Sequence, residues 1–204
     1  MRSSITLLAA GLVFLTWGCE KDKDPTPPPT NNGLLTQAES DHLILMREEE
    51  KMARDLYLAF KALWNSQQFA NISASEQTHM DLCLVEIQKF GLTDPVEGFI
   101  EGDFPSAGMQ QIYDDFLAIG QQSEVKALEQ GAEVEEIDIL DLQNGLDNFI
   151  EHPDLVLLYS NLQKASRNHL RAFYSGLQLR GVTYVPRHMS QADFDLIVNS
   201  PHEH

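Results

Sequence analysis

The sequence TQAESDHLILMREEEKMARDLYLAFKALW at residues 36–64 has the repeat of one long amphipathic helix. Thr36 and Glu39 have the spacing of a capping box, in which each side chain binds the backbone N–H of the other residue. Beyond this start, the residues of one face recur at alternating intervals of three and four, which predicts a helix packed against other helices. These residues are Leu43, Met46, Glu50, Ala53, Tyr57, Phe60 and Trp64.

The same periodicity outside this segment predicts three more long helices and two short ones. The long helices are expected at residues 73–90, 123–146 and 153–180, and the short ones at residues 106–119 and from residue 190 onward. Residues 65–71 are expected to form a loop. The chain has no alternating strand pattern, glycine-rich phosphate loop or nucleophile motif. The pattern therefore favours an all-α protein, a four-helix bundle with two additional short helices.

Residues 1–18 have the features of a signal peptide. The basic residue Arg2 precedes a short apolar run, which is too short to cross a bilayer comfortably. The run ends in LTWGC at residues 15–19, which resembles a bacterial lipobox, so Cys19 is the expected lipidation site. Ordinary cleavage near Gly18, with Cys19 incidental, is the alternative. The protein is accordingly expected to be exported and lipid-anchored in the bacterial envelope, at the outer membrane, on its periplasmic or external side.

The remaining chain divides by composition. Residues 19–34 are acidic and proline-rich, which predicts a flexible tether. Residues 35–186 are expected to form the bundle, and residues 187–204 a C-terminal short helix and tail. If Cys19 is acylated, Cys83 has no disulfide partner, so an apolar core must hold the fold.

The charge balance excludes some classes of partner. The chain has 14 basic and 31 acidic residues and a formal net charge of −17. This balance argues against binding nucleic acid or an anionic membrane surface through charge, and it leaves the lipid anchor as the expected membrane contact. A dimer is the expected oligomer. An acidic chain is also compatible with binding cations.

Each predicted long helix carries an acid or an imidazole where its buried face calls for an apolar residue. An unpaired charge inside a bundle costs several kcal/mol. Bound divalent metal ions would compensate all of these groups at once. The residues are Glu50, Glu76, His79, Glu135 and His169.

Glu76 and His79 form the most specific element of this pattern. Their spacing of three puts both side chains on one helical face, as in the Glu-x-x-His motif of dinuclear carboxylate bundles. A purely structural alternative exists, because Ser73 and Glu76 also have capping-box spacing at the predicted start of this helix.

Longer strings carry a family resemblance. EKMARDLY at residues 50–57 resembles the first metal-binding helix of rubrerythrin-like proteins. Together with SEQTHM at 75–80, GAEVEEIDILDL at 131–142 and SRNHLRAF at 166–173, it resembles a ferritin-like family of bacteria and archaea, the domain of unknown function 2202. The resemblance covers about residues 35–186 and implies a ferritin-like four-helix bundle.

The resemblance also implies a ligand set. Glu50 would bind one metal, Glu76 would bridge two, and His79 and His169 would each bind one. Either Glu135 or Glu136 would be the second bridge or a terminal ligand; Glu135 fits the buried face better. The implied cofactor is two divalent ions, iron first and manganese second.

The fourth helix departs from the dinuclear pattern. Ser166 stands three residues before His169, where a complete motif repeats a glutamate, and serine is a poor ligand for a hard cation. Glu136 or Asp138 could compensate, the site could be asymmetric, or one metal alone could bind tightly. Tyr57, Asp138, Ser166 and Asn168 are expected to support the ligands.

Three functions follow as hypotheses. The first is a dinuclear oxidoreductase of the oxidase, peroxidase or ferroxidase type, with an unidentified electron donor. The second is a non-enzymatic binding or structural module of the envelope with a degenerate metal site, which Ser166 motivates. The third is iron storage in a closed cage, which the tether and the segment at residues 92–120 make awkward.

Overall fold

The computed structural model describes residues 33–204, so the predicted signal peptide, Cys19 and nearly all of the tether lie outside the described residues. The described part is all-α and contains no strand. Its six helices are α1 Gln37–Trp64, α2 Gln67–Lys89, α3 Ala107–Gly120, α4 Glu124–Asn148, α5 Pro153–Leu179 and α6 Gln191–Val198. None of these helices has both the length and the apolar character that a membrane crossing requires.

Helix α1 begins as its sequence predicts. The Thr36 hydroxyl accepts from the backbone N–H of Glu39, and the Glu39 carboxylate accepts from the backbone N–H of Thr36 at 2.8 Å. The other Glu39 oxygen accepts from the backbone N–H groups of Glu151 and His152, at 3.0 and 2.7 Å. One carboxylate therefore ties the start of α1 to the start of α5.

The predicted loop at residues 65–71 is wrong. Asn65 takes a left-handed conformation, with φ of 49°, and ends α1, and α2 begins two residues later at Gln67. The additional turns are held by Phe69 and Ile72, which are buried in the core. Ser73 is thus inside α2, where its hydroxyl donates to the Ala70 carbonyl. The structural alternative for Glu76, a capping role, is therefore excluded.

The four long helices pack around a common interior. Helix α1 lies against α2 and α4, and α5 lies against the same two helices from the other side. Helix α3 covers the outside of α1 and α4, and α6 packs on α5.

The apolar core consists of two clusters, one towards each end of the long helices. One includes Leu43, Met46, Cys83, Ile87, Leu142, Tyr159 and Leu162. The other includes Leu56, Tyr57, Phe60, Phe69, Ile72, Phe173 and Leu177. Along α1, α2 and α5 the acids and imidazoles lie between the two clusters in the chain, so a polar layer separates two apolar blocks.

A buried ion pair holds the segment that leads into α3. Lys51 is 1% exposed, and its Nζ lies 2.5 Å from Asp55 Oδ2 and donates to the carbonyls of Ile100 and Asp103. Asp55 in turn accepts from the backbone N–H of Gly102 at 3.0 Å. Through these contacts the pair on α1 holds the backbone of residues 100–103, the segment that leads into α3.

Candidate metal centre

Three side chains in the polar layer have the arrangement of a metal-binding group. One donor atom from each of Glu76, His79 and His169 lies within 4.8 Å of the other two. The two Glu76 oxygens face different rings: Oε2 is 2.6 Å from His79 Nδ1, and Oε1 is 2.8 Å from His169 Nδ1. Glu76 therefore stands between two imidazoles that come from α2 and α5.

Two further carboxylates flank this group. Glu50 Oε2 from α1 lies 3.2 Å from His79 Nδ1, and Glu135 Oε2 from α4 lies 3.5 Å from His169 Nδ1. All five side chains are at most 8% exposed. Each long helix therefore contributes at least one group to one buried cluster.

Tyr57 supports one of these carboxylates. Its hydroxyl donates a 2.7 Å hydrogen bond to Glu135 Oε1, which leaves Oε2 facing His169. The ring of Tyr57 is completely buried and packs against Phe69 and Phe173. Packing thus fixes the hydroxyl, and the hydroxyl orients the carboxylate.

The charges in the cluster balance only through the two imidazoles. Burial lowers the pKa of both histidines, but facing carboxylates outweigh it and raise the pKa of His79 to about 12 and that of His169 to about 10. Burial raises the pKa of Glu76, but the two imidazolium charges outweigh it and hold the pKa below its usual value. Protons on the rings therefore do what metal ions would do, and metal binding would release them.

Glu135 and Glu50 remain less well compensated. Burial, with the charge of Glu76 adding to it, raises the pKa of Glu135 to about 7 even though His169 opposes the shift. Burial also raises the pKa of Glu50, against the effect of His79. The cluster has more carboxylate than two imidazolium ions can balance well, which is the condition that a bound divalent cation relieves.

Buried atoms without a hydrogen-bond partner test whether these residues fit a metal. Glu50 Oε1 and His169 Nδ1 are both inaccessible and have no such partner. His169 Nδ1 is close to Glu76 Oε1, so its direction rather than its distance prevents a hydrogen bond. Buried polar atoms in a folded protein are normally paired. Carboxylate and imidazole donors aimed at a common space therefore fit a metal.

A cavity adjoins the cluster between α1, α3 and α4. Its volume is about 50 Å³, and Glu50, Glu76 and Glu135 form part of its wall. Apolar side chains form much of the remainder, among them Met52, Met109, Ile112, Val134 and Ile137. The cluster thus faces a small space that two of these apolar side chains, from α3, help to close.

Comparison with known proteins places this chain in a family. Residues 39–201 match the family described as an uncharacterized protein domain, DUF2202. This chain is a member of the DUF2202 family. The match starts at residue 39 and does not include the predicted signal peptide or tether.

A relative and a solved structure agree with this assignment. The uncharacterized protein MJ0754 of Methanocaldococcus jannaschii is 40% identical over 169 residues, which are 83% of this chain and 91% of that protein. The crystal structure of hypothetical protein MJ0754 from Methanococcus jannaschii superposes with a TM-score of 0.81 at 38% identity, over 89% of this chain and 99% of that one. The DUF2202 fold of this chain is therefore shared with an archaeal protein.

Glu136 does not join the cluster of this DUF2202 domain. Its carboxylate accepts from the Tyr184 hydroxyl at 2.7 Å and from the backbone N–H groups of Arg187, His188 and Met189. One residue along a helix turns the side chain by about 100°, which directs Glu136 to the segment after α5 instead of the interior. Of the two glutamates between which the sequence leaves the choice open, the structure places Glu135 in the cluster and Glu136 outside it.

Asn168 also lies outside the cluster. Its side chain binds the backbone of Glu203 and the guanidinium of Arg171, so it holds the C-terminal tail and supports no ligand. Ser166 is turned inward, and its hydroxyl donates to Asp138 Oδ2 and to the Leu162 carbonyl. Asp138 is thus oriented by the residue that occupies the place of the absent glutamate.

Sequence reasoning missed one acid of this region. Glu49 lines the cavity beside Glu50, and its Oε2 is inaccessible to solvent and has no hydrogen-bond partner. Burial and the charges of Asp141 and Glu50 raise its pKa well above the usual value. The run of three glutamates at residues 48–50 is the available signal, but such a run is ordinary on a solvated helix face.

Proposed function

We propose that this DUF2202 protein is a ferritin-like four-helix metalloprotein that binds two divalent ions, iron or manganese, in the polar layer of its bundle. The observation that carries the proposal is the convergence of Glu76, His79 and His169 within 4.8 Å inside the core. Glu50 with His79 would hold one ion, Glu135 with His169 the other, and Glu76 would lie between them. Four helices that pack in a ring, with ligands from each, are the arrangement that dinuclear carboxylate bundles use.

The energetics support a metal over a purely structural network. Five titratable groups lie in a layer at most 8% exposed, and removing one partner from such a network costs about 3–5 kcal/mol. A protein that needed only stability would do as well with apolar residues at these positions. Unpaired atoms on Glu50 and His169 show that the protons alone do not satisfy the cluster.

The proposed chemistry is of the oxidase or peroxidase type. When bound, the metal pair would supply the exchange of electrons with oxygen or peroxide. The chain would supply ligand geometry, the hydrogen bond from Tyr57 that orients Glu135, and an interior from which two apolar clusters exclude bulk water. The adjoining cavity offers room for a small molecule only.

Metal analysis of the domain purified without chelators tests the proposal. We expect close to two iron or manganese ions per chain and an absorption change on adding peroxide. Glu76→Gln should lose most of the metal, whereas the control Glu97→Gln, at an exposed position, should keep it. Less than half an ion per chain in the unaltered protein, after reconstitution with Fe²⁺ or Mn²⁺, would defeat the proposal.

A second candidate is a non-enzymatic module whose polar layer is only structural, and Ser166 favours it. The serine hydroxyl binds Asp138 and Leu162 and offers no carboxylate towards His169. This candidate predicts that the double variant Glu50→Leu, His169→Leu has an unchanged or higher melting temperature. The metalloprotein predicts that the same variant loses bound metal and the stabilisation that metal confers.

We further propose that the protein is exported and anchored through a lipid on Cys19. The support is the position of Cys19 at the end of an apolar run, followed by an acidic, proline-rich segment. In a bacterial host, Cys19→Ser should release the protein from the membrane fraction and abolish labelling by a radioactive fatty acid. Labelling of that variant at the level of the unaltered protein would count against the anchor.

A further inference from the structure

We infer that α3 forms the entrance to the proposed metal centre, that the side chain of Ile112 sets the width of this entrance, and that the molecule admitted is dioxygen. This inference deepens the proposed function and rests on it, because it names the reactant that reaches the ligands. It assigns a role to a helix that the dinuclear motif does not include.

The cavity beside the cluster extends from buried acids towards the surface. Its wall includes Glu50, Glu76 and Glu135, which are at most 3% exposed. The same wall includes Ile112 of α3, which is 42% exposed, and the half-buried Ile137 of α4. One space therefore connects the candidate ligands with a side chain that solvent reaches.

Helix α3 is attached to α1 near both of its ends. Before its first turn, the backbone N–H of Ser106 donates to the Glu48 carboxylate at 3.0 Å. At its last residue, the Gly120 carbonyl accepts from the indole N–H of Trp64 at 3.2 Å. Ile112 lies between these two attachments. The side chains of α3, rather than a movement of the helix, therefore set the width of the entrance.

The size and lining of the cavity restrict what can enter. Its volume is about 50 Å³. A water molecule occupies about 30 Å³ in the liquid, whereas a cavity of roughly 150 Å³ is known to hold benzene, so the space suits a molecule only slightly larger than water. The lining residues include no lysine, arginine or histidine, so an anion would find no opposite charge there. The reactant is therefore small and uncharged.

The apolar part of the wall favours dioxygen over hydrogen peroxide. Met52, Met109 and Val134 are buried and line the cavity. On its way past them, hydrogen peroxide would lose hydrogen bonds to water, which costs free energy, whereas dioxygen has almost none to lose. Peroxide also transfers an oxygen atom to a thioether, which gives methionine sulfoxide and water. Two methionines on the wall therefore suit a reactant that leaves thioethers intact.

Nuclear magnetic resonance of the metal-free protein under dissolved dioxygen tests the entrance. Dioxygen is paramagnetic and accelerates the relaxation of nuclei that it approaches. We expect the methyl groups of Met52 and Val134, which line the cavity, to relax faster than those of Leu142, which is buried in the other apolar cluster. Equal enhancement at all three residues would overturn the entrance.

Two variants should narrow the path. Ile112→Trp enlarges the side chain at the outer end, and Ala53→Leu extends the wall from α1 into the cavity. Each should reduce the relaxation enhancement at Val134 to the level of Leu142. Ile119→Trp is the matched control, because Ile119 is 37% exposed on the same helix and does not line the cavity, and it should leave the enhancement unchanged. Melting curves establish that each variant is folded. Enhancement that persists in both narrowing variants would contradict the path past α3.

Mass spectrometry of the metal-free protein after treatment with hydrogen peroxide tests the choice of reactant. We expect Met52 and Met109 to form sulfoxide as slowly as Met46, which is completely buried in the core. Faster oxidation of both would show that peroxide enters the cavity, and the preference for dioxygen would then be wrong.

The outcomes separate this inference from the proposed function, because all of these measurements use protein without metal. Failure of the entrance leaves the expected metal content of the unaltered protein unchanged. Absence of Fe²⁺ and Mn²⁺ binding overturns the proposed function, and with it the role of the cavity as an entrance.

Discussion

The hydroxyl of Tyr57 on α1 donates a 2.7 Å hydrogen bond to Glu135 on α4, and no solvent reaches either side chain appreciably. Tyr57→Phe keeps the ring but leaves Glu135 Oε1 without this donor. We expect the metal-free variant to lose about 1–3 kcal/mol of stability. We also expect its affinity for Fe²⁺ or Mn²⁺ to fall by about 10–100-fold, because removing a hydrogen bond that orients a metal ligand typically has that effect.

Tyr159→Phe is the matched control for this change. Tyr159 is equally buried, and its hydroxyl lies 2.9 Å from His42 Nδ1, within the other apolar cluster. It should lower stability in urea titrations without altering metal affinity in calorimetric titrations. Equal metal affinity in the two variants would show that the Tyr57 hydroxyl has no role in orienting Glu135.

A glycine at the end of α3 makes a close contact with the core. A Cβ atom at Gly120 would overlap the ring of Phe60, which is completely buried. Gly120→Ala should therefore cost about 1–3 kcal/mol through overpacking. Gly108→Ala, on the same helix with nothing within 4 Å of its Cβ, should be neutral or slightly stabilising. Thermal unfolding of both variants measures the difference, and equal melting temperatures would contradict the packing.

Glu136 holds the segment after α5 against α4. Glu136→Gln replaces one accepting oxygen by an NH₂ group that faces backbone N–H donors. We expect a loss of about 2–4 kcal/mol and faster proteolysis within residues 184–189. Glu133→Gln changes a partly exposed acid that pairs with Arg187 and His188, and should change stability by less than about 1 kcal/mol. Similar digestion rates for the two variants would refute this role.

Glu203 fastens the C-terminal tail to α5 in a pH-dependent way. Hydrogen bonds from Arg167, and then from Arg171, lower the pKa of Glu203 from 4.5 to about 2. Since the folded pKa is depressed, the contribution to stability is complete above pH 4.5 and is lost as the pH falls towards about 2. Glu203→Gln should cost about 1–2 kcal/mol at pH 7, a value reduced for solvent screening.

Urea unfolding at pH 7, 5, 4 and 3 measures the difference in stability between Glu203→Gln and the unaltered protein. The gap between Glu203→Gln and the unaltered protein should narrow steadily below pH 4.5. Glu151→Gln removes an exposed acid without a side-chain contact of this kind and should show no such trend. A gap for Glu203→Gln that is constant from pH 7 to 3 would contradict the role of its charge.

Features that depend on neighbouring residues were predicted well from the sequence. The capping box of Thr36 and Glu39 and the first-turn position of Pro153 are set by spacings of a few residues, and both are present. The start of α2 was missed because Gln67, Gln68 and Asn71 look like a polar loop. The first turns of α2 are stabilised because the other helices bury Phe69 and Ile72, and such tertiary packing cannot be predicted from the local sequence.

In the candidate metal centre, too, the sequence predicts some of the residues and misses those whose position depends on other helices. Periodicity put Glu50, Glu76, His79, Glu135 and His169 on inward faces, and the structure brings them together. Glu49 and Glu136 each adjoin one of these residues in the chain, so the helical periodicity turns their side chains by about 100° away from that inward-facing neighbour. Residues of α3 line the cavity beside Glu49, and the segment after α5 binds Glu136. The spacing of residues within α1 or α4 does not indicate either of these neighbours.

The buried pair of Lys51 and Asp55 limits how such a sequence can diverge. Replacing Asp55 alone would strand the Lys51 charge in the core, at a cost of about 3–5 kcal/mol, whereas replacing Lys51 alone would leave Asp55 paired with Arg54. Either change would also strip partners from the backbone of residues 100–103 that these two side chains bind. Loss of the acid should therefore be tolerated only where the amine is lost as well, so homologues that keep the amine of Lys51 should also keep the acid of Asp55.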